Sequence, residues 1–327
     1  MFVPQTFAVA LVMTVLSTIC WGSFANTFKV TKNYRFELYY WDYALGIFLI
    51  SVVLAFTLGS TSSGGQSFLP NFHSAAPMNL LDAAVGGFIF NIANVLLIAG
   101  IEIVGLAIAF PISIGIALVE GVVLSYLIQP KGSATLLGAG VAMAVLAVIL
   151  IGKAYGALRS GDTRVSRKGI IVCVISGLLM GTFAPFVTKS MTAAQPLTPY
   201  TVAVLFTFGA LICCFFFNIY LMKKPLVGAP VGFSGYRSAP ASYHALGLLG
   251  GAVWGIGTVF NFVAASLVGV AISYAIGQAS PMIAALWGVF VWREFRGANS
   301  RAKAYLVGMF VCYMLALFLI ARAYQSS

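Results

Sequence analysis

Of the 327 residues, 61% are hydrophobic and only 8% are charged, and the mean hydropathy is +1.01. Soluble globular chains are about one-quarter charged, so this chain lacks the polar surface to face water and the lipid bilayer is its expected solvent. The net charge of +11 is spread over short connections between apolar runs, a distribution that argues against nucleic acid as a partner.

Roughly 20 apolar residues in a helix cross a hydrocarbon core about 30 Å thick. Ten runs reach that length, at about 5–28, 40–60, 79–100, 103–128, 134–155, 168–188, 198–222, 243–267, 268–292 and 303–323. Continuous runs of this kind argue for helices, since a lipid-facing barrel would alternate in segments of about ten residues. No Lys or Arg precedes the first run, so it is expected to stay as a spanning helix and not to act as a cleaved leader.

The first run carries Trp21 and closes on Asn26 and Lys29. The third holds Asn91 and Asn94 within one turn. Facing the bundle, these amides would either pair with hydroxyls or ring amides of a solute or bond helix to helix, which is worth about 0.6 kcal/mol on average in membranes. The fourth contains Glu120, ten positions before Pro130 and so roughly 15 Å along the helix, near the middle of the core. A carboxylate at that depth is costly; it reads as a proton-coupling or solute-binding group, or as a protonated packing residue. The sixth run ends near Lys189, the approximate counterpart of Lys29 at the opposite mouth; each reads as a gate cation or as a side chain snorkelling to the headgroups. The eighth supplies Trp254 and Asn261, with Gly247, Gly251 and Gly255 at intervals of four for close helix approach. The ninth supplies Tyr274, Gln278, Ser280 and Pro281. Trp21, Trp254 and Tyr274 either stack on a planar solute or pack. The five cysteines lie inside the runs without ligand spacing, and neither a metal nor a cofactor is expected.

Fifteen of the eighteen Lys and Arg fall on one set of alternate connections, including 29–35, 153–168, 223–237 and 293–303. The positive-inside rule makes that side cytoplasmic, which places both termini outside the cytoplasm of a multi-pass protein of the inner (plasma) membrane. The split also favours an even number of spans.

The sequence repeats itself. VGLAIAF at 104–110 matches VGVAISY at 268–274, an offset of 164 at which Gly86 and Gly87 fall on Gly250 and Gly251. GSFA at 22–25 resembles GTFA at 181–184, at an offset of 159. The expected architecture is therefore an all-α membrane protein of ten helices in a 5+5 inverted-topology repeat, with a first unit at 1–155, a short linker at 156–167 and a second unit at 168–327. Five spans per unit invert the second unit in the membrane, an arrangement many secondary carriers use to alternate access around a central site.

The residues WGSFANTFK at 21–29 and WDY at 41–43, with Gly86, Gly87, Asn91, Asn94, the VGL at 104–106 and Ser125–Tyr126, resemble the ureide permeases of the drug/metabolite transporter superfamily and the neighbouring glucose/ribose porters. The resemblance implies uptake of a small polar solute such as a sugar, nucleobase or ureide, driven by a coupling ion; the lipid bilayer and the solute are then the partners, and a homodimer stays open as an assembly. The central link is short here and has no G-x-x-x-x-G-K-[ST] motif, in contrast to the long central segment of the plant ureide permeases. Export of drugs or metabolites is the alternative within the superfamily, and a receptor or scaffold the alternative outside it. No H-E-x-x-H or G-x-S-x-G motif occurs, so an enzyme is not expected.

Overall fold

The computed structural model describes residues 1–32, 34–61, 65–158 and 166–325. Most of the expected linker therefore lies outside the described residues. Among those described, ten helices are long and apolar enough to cross a membrane: α1 Phe7–Val30, α2 Phe36–Ser60, α3 Pro77–Val104, α4 Ile108–Ile128, α5 Ala134–Gly156, α6 Arg167–Thr192, α7 Pro199–Lys223, α8 Ala241–Val268, α9 Val270–Val291 and α10 Ser300–Gln325. The chain is an all-helical multi-pass membrane protein, and the spans match the expected runs to within a few residues.

Local chemistry sets the helix ends. The hydroxyls of Thr6, Ser133 and Ser166 cap α1, α5 and α6 by accepting from the amides of Val9, Leu136 and Gly169. Pro77 and Pro199 sit in the first turns of α3 and α7, where a missing N–H costs nothing. Gly105 and Gly269, with φ of 78° and 86°, directly follow the last residues of α3 and α8 and interrupt the helical run there. Their left-handed backbone lets α3 turn directly into α4 and α8 into α9. Three spans are irregular inside: α1 steps at Phe24, α7 has a π turn over Cys214–Asn218, and α9 breaks between Gly277 and Ser280.

The helices cross closely where glycine removes the side chain. A Cβ on Gly87 would fall on the Phe206 carbonyl and one on Gly209 on the Ala84 carbonyl, which fixes α3 against α7. Gly251 meets the Tyr43 carbonyl and Gly46 the Leu248 carbonyl in the same way, which fixes α8 against α2. Further, α3 and α4 pack on α6, α8 and α9 pack on α1, and α5 pairs with α10. Each contact made by a helix of the first five has a counterpart with the halves exchanged, a pattern consistent with the two five-helix units read from the sequence.

Contacts also define two faces. On the linker face, Lys29 pairs with Glu294, Arg35 bonds the Ala229 carbonyl at 2.8 Å, and Lys168 bonds the Leu226 carbonyl at 3.3 Å. On the terminus face, the Tyr200 hydroxyl bonds the Phe2 carbonyl at 3.1 Å, Phe7 stacks on Tyr324, and Lys131 bonds the Leu267 carbonyl at 2.9 Å. Exposed Val12, Ile19, Phe216, Val307 and Phe318 line the outer flanks of α1, α7 and α10, where lipid rather than water would meet them.

Candidate functional site

A cavity of about 530 Å³ enters from the linker face and reaches just past the middle of the bundle. Its mouth is formed by Phe28 and Lys29 of α1, Phe36 and Tyr39 of α2, and Ile101 and Glu102 of α3. The floor is aromatic. Trp254 stacks on Phe90 with ring centroids 4.8 Å apart and on Trp21 at 5.9 Å, while Phe183 and Phe206 close the ring beneath at 5.3 Å. Such pairs contribute about 0.5–1.5 kcal/mol each beyond their buried area, so the floor is a stiff platform.

Polar groups interrupt this platform at three points. Asn94 donates to the Tyr40 hydroxyl at 3.1 Å, and its carbonyl oxygen accepts no hydrogen bond among the described residues. The Thr258 hydroxyl accepts from the Trp21 indole at 3.1 Å and donates to the Trp254 carbonyl at 3.1 Å. Gln278 sits in the break of α9, where Pro281 opens the restarted helix without an N–H to donate. Among the described residues, the charged side chains that line the cavity are Lys29 and Glu102, both at the mouth. Lys29 is already paired with Glu294 and lies 4.5 Å from the centre of the Trp292 ring. The interior suits an uncharged solute with a flat face and a few hydrogen-bonding groups.

Seven of the residues singled out from the sequence line this cavity: Trp21, Lys29, Asn94, Trp254, Gln278, Ser280 and Pro281. The others do not line it. Asn26 donates to the Ser23 carbonyl and accepts from the Trp292 indole at 2.6 Å, holding the end of α1 to the segment after α9. Asn91 accepts from the Tyr40 hydroxyl at 2.6 Å, behind Asn94. Asn261 bonds the carbonyl and hydroxyl of Ser273, tying α8 to α9. Tyr274 is fully buried and its hydroxyl reaches the carbonyls of Ala117 and Met180 at 3.2 and 3.3 Å, so α9 grips α4 and α6 together. Lys189 pairs with Asp82 at 3.1 Å near the terminus face.

Glu120 lies in the α4–α6 contact. One carboxylate oxygen accepts from the Thr182 hydroxyl at 3.0 Å; the other is buried with no hydrogen bond among the described residues. Gly181 gives it room, since a Cβ there would lie 2.7 Å from that of Glu120. The neighbouring Met180 and Phe183 line the cavity, so the carboxylate is one residue layer from the solute space.

Sequence reasoning missed Phe90, Phe183, Phe206 and Thr258, because one Phe in an apolar run looks like any other. It also missed a polar cluster under the α2–α8 crossing. Asp42, 4% exposed, accepts from the Tyr236 hydroxyl at 2.6 Å and meets His244 Nδ1 at 2.7 Å. Burial, reinforced by the Asp42 charge, pushes the nearby Tyr34 phenol up to about 12. Burial and the hydrogen bond to Asp42 push Tyr236 up as well. Asp42 had shown only as part of the WDY motif. No group of three or more His, Cys, Asp or Glu among the described residues is placed to hold a metal.

Comparison with known proteins gives the site a context. Ureide permease 4 of Arabidopsis thaliana is 22% identical to this chain, over 97% of each. Ureide permease 2 of the same plant is 23% identical, over 87% of each. A solved crystal structure superposes with a TM-score of 0.63 at 16% identity, over 96% of this chain and 99% of that one, a likeness of fold. The family model for the sugar transport proteins matches residues 12–322, and the chain therefore belongs to the sugar transport protein family of membrane transporters.

Proposed function

We propose that this protein takes up a small uncharged polar solute, of the sugar, nucleobase or ureide class, by alternating access, and that the conformation described is open to the cytoplasm. The observation that carries the reading is the cavity itself: a stiff aromatic floor at mid-membrane, with Asn94, Thr258, Gln278 and Ser280 as its polar groups and, among the described residues, no ionisable side chain below the mouth. Aromatic faces suit the flat side of a ring; amides and a hydroxyl suit its edge. The names of the relatives point to the same chemistry.

Orientation and mechanism belong to the same proposal. The linker face carries most of the basic residues, which supports a cytoplasmic position for it and an outer one for the termini. The exchanged contacts of the two halves and the matching corners at Gly105 and Gly269 support rocking of two inverted units around the cavity. Glu120 is the coupling group: its buried oxygen without a partner is free to take and release a proton, and it acts on the cavity through Met180 and Phe183. Coupled export of a lipophilic cation is less well served, because no carboxylate among the described residues lines the cavity below the mouth.

The test is a thermal-shift screen of the purified protein against ribose, glucose, uracil, allantoin and tetraphenylphosphonium. A ligand at 100 times its Kd stabilises the folded state by about 2.7 kcal/mol, a clear rise in Tm. A rise with one of the polar compounds, lost in Asn94→Ala and Trp254→Ala, is expected. A rise with tetraphenylphosphonium alone would reverse the reading in favour of an exporter.

A further inference from the structure

The molecule has a second cavity, also of about 530 Å³, at its terminus face. Its polar side chains come from four places: Gln66, Asn71 and Ser74 before α3, Gln129 at the end of α4, Thr192, Gln195 and Thr198 from the end of α6 to the start of α7, and Ser266 near the end of α8. Among the described residues no charged side chain lines it, and the Met1 α-ammonium at its wall donates to the Thr61 carbonyl at 2.6 Å. The amides of Gln129 and Gln195 make no hydrogen bond among the described residues and are available to a ligand. The walls are fixed nonetheless. Asn71 bridges Gln66 to the Pro196 carbonyl and accepts from the Thr198 amide at 2.8 Å. Asn79 holds the carbonyls of Ala194 and Gln195, each at 2.9 Å, and Gln195 keeps a left-handed backbone with φ of 50°, a strained state that persists only when its surroundings impose it.

Two relations connect this cavity to the central one. The first is sequence correspondence. At the repeat offset of 164, Ile101 and Glu102 at the mouth of the central cavity correspond to Ala265 and Ser266, which line the second cavity. Pro199, which opens α7 as Phe36 opens α2, lines it too. The second is distance. Phe262 lines the floor of the central cavity and Ala265 lines the outer one; three positions along a helix amount to about 4.5 Å of rise. Linked aromatic side chains lie in this region: Phe262 packs edge to face on Phe206 at 5.5 Å, and Phe183, itself against Phe206, packs edge to face on Tyr274 at 5.6 Å.

We infer that the second cavity is a vestibular binding site for the transported solute. It takes an uncharged molecule rich in hydroxyl or amide groups at the terminus face and passes it to the central cavity when the side chains of Phe206, Phe262 and Tyr274 part. The inference rests on the proposed transport function and deepens it.

The experiment uses the full-length protein reconstituted in liposomes, with radiolabelled ribose, uracil and allantoin as probes. The variant is Thr192→Ala with Gln195→Ala, both exposed and so safe for folding. For the probe that wild type transports, half-saturation of entry from the terminus face should rise about fivefold or more. Maximal rate and equilibrium binding of the detergent-solubilised protein should stay within about twofold. Unchanged half-saturation overturns the vestibule and leaves the transporter reading intact; loss of transport and binding together also overturns it, since the pair then acts through the fold. Wild type that neither binds nor moves any probe defeats the transporter reading itself, and the vestibule with it. A second readout stands apart from transport. Ser266→Cys should react with a membrane-impermeant maleimide added at the terminus face and Asn94→Cys with one added at the linker face. A Ser266→Cys that is inert from the terminus face overturns the vestibule whatever the uptake assay gives.

Discussion

Helices α4 and α9 start alike and end differently. Each leaves a single glycine of positive φ, Gly105 or Gly269, and each opens on the same motif. Helix α4 then runs unbroken to Ile128, although Pro111 lies near its start. Helix α9 stops at Gly277, restarts at Ser280 with Pro281, and finishes in a π turn over Trp287–Val291. The chemistry divides accordingly. The continuous helix carries the half-buried carboxylate of Glu120 against α6; the broken one turns Gln278 into the cavity. A proline in the first turns interrupts little, whereas one at mid-membrane frees backbone groups that must find partners or face a cavity. The halves share a scaffold, and the differences between them locate the work.

The largest expected effect concerns what the halves share. Gly87→Leu and Gly251→Leu each push a side chain into a backbone carbonyl of the crossing helix, which cannot yield as a flexible side chain can. Overpacking commonly costs about 1–3 kcal/mol, and these sites should lie at or beyond the upper end. Both variants should lose most of their monodisperse protein on gel filtration, and to a similar degree. Gly138→Leu, on an exposed face with nothing within 4 Å, should behave as wild type. A large effect at Gly87 with none at Gly251 would break the equivalence of the two crossings.

The next two predictions sharpen the difference between α4 and α9. Glu120→Gln should abolish accumulation of solute driven by an imposed pH gradient, at least tenfold in steady-state level, while counterflow exchange continues. Normal accumulation by Glu120→Gln vesicles would remove the coupling role. Gln278→Leu keeps the volume but removes the hydrogen-bonding edge, and a net hydrogen bond of about 0.5–1.5 kcal/mol translates to roughly threefold to tenfold weaker binding by calorimetry. Unchanged binding in Gln278→Leu would mean that the break in α9 serves motion alone.

Much of this was legible in the sequence, for reasons that can be named. Ten spans follow from run length, and the repeated VG dipeptide marks equivalent places in the chain, although the positive φ with which Gly105 and Gly269 turn one helix into the next is visible only in the structure. Trp21, Asn94, Trp254 and Gln278 stood out as polar or amphipathic groups at mid-span and do line the cavity. Asn91 and Asn261 looked the same from sequence, yet they turn to Tyr40 and Ser273, because the side a helix presents depends on neighbours that a single sequence does not specify. The aromatic floor was invisible for a different reason. In a chain with 26 Phe, Phe90 and Phe206 acquire a role only once α3 and α7 are brought together by Gly87 and Gly209.

The smallest effect contrasts the two lysines near the mouths. Lys29 and Glu294 are 44% and 30% exposed at their side chains, whereas Lys189 pairs with an Asp82 only 7% exposed. Exposed pairs contribute about 0.2–1 kcal/mol, so the Lys29–Glu294 contact between α1 and the segment after α9 is a weak tie, as the proposed cycle requires of a mouth. Lys29→Ala should shift the balance between open and closed states by no more than about fivefold. The shift is measurable as altered maleimide reactivity of Asn94→Cys from the linker face. It should fade as ionic strength rises toward 1 M, where the screening length is about 3 Å. Lys189→Ala should act differently, because it leaves a nearly buried carboxylate without its cation; its effect should be the larger of the two and should persist in high salt. Equal, salt-sensitive effects at both lysines would mean that the two ends of the molecule are held in the same way, and that the asymmetry drawn from α4 and α9 stops short of the mouths.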